Sequence, residues 1–168
     1  MSGSGRPGYL GSMDGPKITK IGPYELEIPD FWSSITVREK PPLYVSNSVV
    51  GPGVSFDFAV LEGVGDNPAE RAHMEAALLD GYGAQKVTPL DETFHGLHYQ
   101  GHRLEQVHAL GPGAIHEMYF VVAYGDLLHF AYSIGNAIPE EDTLRHLFFT
   151  MVESAIVRRG YAIVNEQN

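Results

Sequence analysis

The sequence predicts an α+β domain, an antiparallel sheet flanked by helices in an α/β/α sandwich. Three observations predict it. Val54–Leu61 alternates apolar and polar residues, the period of a half-buried strand. Two segments, from about Pro68 to Asp80 and from Pro139 to about Val157, carry apolar residues at helical spacing. Between them the period returns to two, and a meander through Ala114–Tyr124 and Leu127–Ile134 is apolar on both of its faces, so both need cover.

The chain has 168 residues, and the first twelve, MSGSGRPGYLGS, read as an expression tag and linker ahead of Met13. Residues 13–168 are then expected to form a single domain, long enough to bury a sizeable core. Tyr24–Pro29 alternates and stops at a proline, as an edge strand does. Ile35–Glu39, broken by Pro41-Pro42, and Leu43–Val50, ended by Gly51-Pro52-Gly53, are expected as the next strands. Asn67 is a good N-cap, Pro68 suits the first helical position, and Glu70 completes the pattern three residues on. Met74, Ala77, Leu78 and Tyr82 would line the inner face of this helix, which Gly81 and Gly83 end.

After it, Lys86–Leu90 is a short strand, and Phe94–Leu110 holds one or two, with Gly96 and Gly101 as turn or bulge points. A turn centred on Pro112 would pair His108 with His116, and one between Gly125 and Asp126 would set His129 against Val122. That register places Tyr119, Val121 and Ala123 on one face with Leu128, Phe130 and Tyr132. Met118, Phe120 and Val122 fall on the other, beside Leu104 and Ala131. The last helix would use Leu144, Leu147, Phe148, Met151, Val152 and Ala155 as its apolar stripe. Glu140, Glu141 and Asp142 would sit at its start and Arg158-Arg159 at its end, as the helix dipole favours.

A formal charge of -10 argues against nucleic acid and anionic membrane surfaces, which need clustered Lys and Arg. It suits a basic or apolar protein partner. No apolar run reaches the ~18 residues of a membrane span. The absence of cysteine excludes disulfides, thiolate metal ligands and a cysteine nucleophile. His95, His98 and His102 raise a metal reading, but on a strand His98 and His102 stand about 13 Å apart with His95 on the opposite face. Neither a metal nor a cofactor is expected. No GxSxG, GxGxxG or phosphate-cradling lysine loop occurs, so no catalytic residue is assigned.

Element order and short motifs resemble the PsbP-like superfamily, which includes the Mog-type Ran-binding factor, DcrB-like and LpqN-like proteins, and Eag adaptors. The matching parts are Glu27-Ile28-Pro29-Asp30-Phe31-Trp32, Val54–Leu61, Pro68–Asp80 before Gly81, Met118–Ile134, and Glu141–Val157 with Glu153-Ser154-Ala155-Ile156. This resemblance implies the α/β/α sandwich and functions based on binding. The leading expectation is a non-catalytic bacterial accessory protein that binds another protein, as a secretion adaptor or chaperone or as a toxin immunity protein. A carrier of a small apolar ligand or lipid is the first alternative, and a His-dependent metalloenzyme the second. Trp32, Tyr44, Phe56, Asp57 and Phe58 are the candidate partner-binding residues, and a homodimer remains open. The cytoplasm is the expected compartment, or a secreted or lipid-anchored state if a signal peptide once preceded Met13.

Overall fold

A computed structural model describes residues 17–30, 32, 34–51, 53–107, 115–135 and 141–167. Met13, His108, Pro112, Pro139 and Glu140 lie outside the described residues. Among the described residues, nine strands and two helices follow one another. They are β1 (Lys17–Ile21), β2 (Tyr24–Ile28), β3 (Ser34–Lys40), β4 (Leu43–Gly51), β5 (Val54–Leu61), α1 (Pro68–Gly81), β6 (Ala84–Phe94), β7 (Leu97–Val107), β8 (Ile115–Ala123), β9 (Asp126–Ile134) and α2 (Glu141–Glu166). Seven strands form one sheet in the order β3-β4-β5-β9-β8-β7-β6, while β1 and β2 pair as a separate hairpin. Every neighbouring pair is antiparallel.

Side chains alternate across each strand, so the sheet has two unlike faces. One face gives Phe56, Phe58, Tyr119, Val121, Phe130 and Tyr132 to a core completed by Phe148, Phe149, Met151 and Val152 of α2 and by Tyr24, Leu26 and Ile28 of β2. The other gives Leu61, Leu104, Met118, Phe120 and Leu127, covered by Met74, Leu78, Leu79 and Tyr82 at α1. The sandwich expected from two apolar faces is therefore present, and β2 shares the work of α2.

The two covers differ in depth. Phe148 and Val152 of α2 are fully buried, whereas no residue of α1 is. Asn67 caps α1 as its sequence implies, its Oδ1 accepting the Glu70 amide at 3.0 Å. Asp126, itself buried, accepts the Tyr24 hydroxyl at 2.8 Å and the Gly63 amide at 2.9 Å. It thereby ties the hairpin, the approach to α1 and the β8–β9 turn to one carboxylate.

The register departs from expectation by whole even steps. His116 lies opposite Leu104, and His129 opposite Phe120. The β8–β9 turn is one residue earlier than expected, at Tyr124 and Gly125, where φ is 51° and 79°. Two positive values make the two-residue turn whose twist suits a hairpin. An even slip in pairing keeps every side chain on its face, so the face assignments hold although the partners change.

Other boundaries move for physical reasons. β1 has no clean alternation and is visible only through its pairing with β2. His95 and Gly96 form a second positive-φ turn and join β6 to β7. Gly101 is neither turn nor bulge; it continues β7, and a Cβ there would fall 2.2 Å from the Tyr119 ring. Arg158-Arg159 does not end α2, which runs on to Glu166. Arg158 instead reaches sideways to Glu27 at 3.0 Å, pinning the helix to the hairpin.

Candidate functional site

On the α1 face the apolar surface is interrupted at one end. In β5 the period of two sends Ser55 and Asp57 toward α1, while Phe56 and Phe58 go to the other core. Ser133 of β9 lies opposite Ser55, and His116 of β8 lies opposite Ser133. Asn47 of β4 lies opposite Asp57. Four strands thus place two hydroxyls and an imidazole in one row, with an amide and a carboxylate in the next.

The end of α1 roofs this patch. Its C-cap, Tyr82, has helical φ and ψ of -77° and -19°, and Gly83 at φ 64° then turns the chain into β6. Between Tyr82 and the sheet lies a cleft of about 220 Å³, whose lining includes Ser55, Asp57, Leu104, His116, Glu117, Ala131 and Ser133.

Ser133 Oγ and His116 Nδ1 share a hydrogen bond at 2.8 Å. Burial lowers the His116 pKa, which keeps the ring neutral. His129, buried beside the cleft, donates from Nδ1 to the Tyr119 carbonyl and accepts the Tyr82 hydroxyl on Nε2, each at 3.2 Å. Burial pushes its pKa down to about 4, partly opposed by the Tyr119 carbonyl. Asp57 is shifted upward by burial, against a downward pull from the Asn47 amide that donates to it.

Asp57 differs from Glu27 and Glu92, acids of other surface grooves that arginines neutralise. A cleft of about 340 Å³ between α1 and β7 holds Glu75 with Arg71. A groove of about 350 Å³ between β2 and α2 holds Glu27, which Arg158 neutralises. Among the described residues no Lys, Arg or His forms an ion pair with Asp57. The cleft therefore presents a desolvated carboxyl without a described counter-ion beside the hydroxyls of Ser55 and Ser133 and the His116 ring. Ser133 and His116 form a pair, but no described hydrogen bond joins Asp57 to His116, so the relay of a catalytic triad is not assembled.

The five residues singled out in the sequence do not form one surface. Trp32, Phe56 and Phe58 are buried in the core under α2. There Trp32 packs on Phe56 and Phe148 at ring-centroid distances of 5.8 and 6.2 Å. Tyr44 lies half-buried on that same side against Gly22, where a Cβ would meet its Cδ2 at 2.7 Å. Asp57 alone faces the cleft, because neighbours in a strand point to opposite faces. Ser133, His116 and Tyr82 were not singled out. The signal for the first two was a polar row crossing apolar strands, legible only with the pairing register in hand.

The three clustered histidines separate. His95 sits in its turn and meets Glu153 at 2.7 Å, His98 meets Asp91 at 2.7 Å, and His102 is half-buried with its pKa lowered by burial. Among the described residues no three His, Asp or Glu converge as a metal site. No helix among them is long and apolar enough to cross a membrane.

No protein-family model and no curated protein matches the sequence. Solved structures do match. The solution structure of cyanobacterial PsbP (CyanoP) from Synechocystis is similar at 16% identity and a TM-score of 0.50, covering 89% of this chain and 96% of that one. Mog1p, a Ran-binding protein of Saccharomyces cerevisiae, is similar at 13% identity and a TM-score of 0.49, covering 86% and 94%. At such identities the likeness is one of fold. The chain has the PsbP-like fold, an antiparallel sheet held between helices, as its element order implies.

Proposed function

We propose that this chain is a binding domain with no chemistry of its own, a bacterial accessory protein that docks a partner protein on the α1 face over the Asp57 cleft. The observation that carries this reading is the Asp57 carboxyl, which no described Lys, Arg or His pairs, in a cleft whose other lining acid, Glu117, is held by Arg103 and Arg145. A desolvated charge without a counter-ion is costly, and a partner that supplies the missing charge removes that cost. The acidic surplus of the chain, 21 Asp and Glu against 11 Lys and Arg, favours encounter with a basic partner. That pattern suits an immunity protein facing a basic toxin surface better than an adaptor shielding apolar segments.

One observation favours the adaptor reading, namely the groove between β2 and α2, whose walls include Pro29, Leu147 and Met151. A ligand carrier would need an apolar cavity between helix and sheet. Under α2 that space is filled by stacked rings, with Phe56–Phe148 at 5.1 Å and Tyr132–Phe148 at 5.0 Å.

Affinity capture from the native host with three baits separates these readings. The parent chain and the Met151→Asp variant should recover the same partner, and Asp57→Asn should recover it at least about tenfold less well, as loss of one member of a buried charge pair requires. Loss with Met151→Asp and full recovery with Asp57→Asn would establish the groove in its place. A partner held equally by all three baits would reject both surfaces.

A further inference from the structure

We infer that the group received by the Asp57 cleft is the guanidinium of an arginine side chain on the partner protein. The inference rests on the binding reading above and names the guest of that same cleft.

The acceptors are set too widely for a point charge. Asn47 donates to Oδ1 of Asp57, and Oδ2 accepts from no described donor. Ser55 stands two residues along the same strand, about 7 Å away, and Ser133 lies opposite Ser55, about 5 Å across. Ser133 shares a hydrogen bond with His116, and its hydroxyl oxygen keeps a lone pair that can accept whichever of the two donates. One ammonium nitrogen, bonding at ~2.9 Å, cannot serve three acceptors spread over that triangle. A guanidinium suits them better, because its five N–H donors diverge in a rigid plane toward acceptors on different sides.

The remaining walls agree. Tyr82 closes the cleft with an aromatic ring, on which a guanidinium stacks more readily than an ammonium. Leu104 and Ala131 supply apolar surface for the methylene stem. His116 and His129, the imidazoles nearest the acid, are neutral and do not compete for it. Anionic guests are repelled by Asp57.

Backbone amide NMR of the full chain, titrated with capped Gly-Arg-Gly, Gly-Lys-Gly, Gly-Glu-Gly and Gly-norleucine-Gly peptides, tests the inference. The arginine peptide should shift the amides of Ser55, Asp57 and Ser133 and bind at least about fivefold more tightly than the lysine peptide, reflecting the extra donors. Asp57→Asn, which keeps the side-chain shape, should weaken that binding about tenfold, as removal of a charge-assisted pair does. Ser133→Ala should weaken it less, while its spectrum shows an intact fold. Equal binding of the lysine, glutamate or norleucine peptide, unchanged binding by Asp57→Asn, or no shift at these amides would overturn the assignment. If the arginine assignment fails while a captured partner still protects the cleft from hydrogen exchange, the docking reading stands alone. If the partner leaves the cleft unprotected, that reading fails as well.

Discussion

Glu117 is ionised in the interior because its neighbours are built to keep it so. Its side chain is fully buried, yet Arg103 donates to Oε2 through two nitrogens at 3.0 and 2.6 Å and Arg145 donates to Oε1 at 3.1 Å. Tyr119 and Tyr132 also donate to Oε1. Burial pushes the Glu117 pKa up, but the hydrogen bonds from Tyr132 and Arg103 and the two guanidinium charges outweigh it, and the net displacement is downward. Replacing Glu117 with Gln leaves Arg103, nearly half exposed, without a described counter-ion and Arg145, a quarter exposed, with Glu92 alone. The expected cost is about 3 kcal/mol, at the low end for a broken buried pair, read from urea unfolding. A carboxylate with a lowered folded pKa stabilises above its unfolded value and loses that contribution as pH falls through the folded one.

His129 acts in the same direction by another route. Its folded pKa of about 4 lies below the ordinary ~6.5, so between those values the unfolded chain binds a proton that the folded chain refuses. Stability therefore rises with pH across that window, by on the order of 3 kcal/mol from His129 alone. His102 and His116, also lowered by burial, add to the same slope. Chemical denaturation at pH 4, 5.5 and 7 should show a flatter profile for His129→Gln than for the parent, and identical slopes would refute this account of the ring.

At the scale of elements, two glycines that look alike in sequence have opposite roles. Gly101 sits in β7 under the Tyr119 ring, whose Cε1 lies 2.2 Å from the place a Cβ would take. That ring is fully buried in an aromatic cluster with Phe130, Tyr132 and Phe149, so it cannot step aside. Gly101→Ala should cost about 1–3 kcal/mol, the usual penalty of overpacking. Gly160 lies mid-helix in α2 and meets only the hydroxyl end of Tyr124, an exposed side chain that can swing away. Gly160→Ala should be neutral or stabilise by up to about 1 kcal/mol, the helix-propensity difference. Thermal melts of the two variants, moving in opposite directions, check the pair.

The elements also show what a sequence can and cannot display. Asn67-Pro68 with Glu70 fixes the start of α1 by local chemistry, and the helix begins there. The end of α2 is not local: Arg158-Arg159-Gly160 has the composition of a helix stop, yet Glu27 of a distant strand holds Arg158 and the helix continues. The faces of β8 and β9 follow from period-two alternation, whereas their partners depend on turn geometry at Tyr124 and Gly125. Asp57 was visible as an acid within an apolar strand. Its cleft was not, because that depends on which strands meet Ser55 and on where α1 stops.

For the whole molecule, the two faces of the sheet are covered unequally. The face beneath α2 is packed with interlocked aromatic rings and holds Trp32, Phe56 and Phe58 as structure. The face beneath α1, a helix with no buried residue, keeps its polar row open at one end. A net charge of -10 adds a long-range preference for basic partners, weakening with salt. The central claim is that the partner covers the Asp57 cleft, and hydrogen–deuterium exchange of the chain with and without its captured partner tests it most directly. Slower exchange in the amides around Ser55–Asp57, Tyr82 and Ala131–Ser133, with little change along β2 and the Leu147–Ser154 turns of α2, is the predicted result. Protection confined to β2 and α2, with the cleft exchanging as in the free chain, would contradict it.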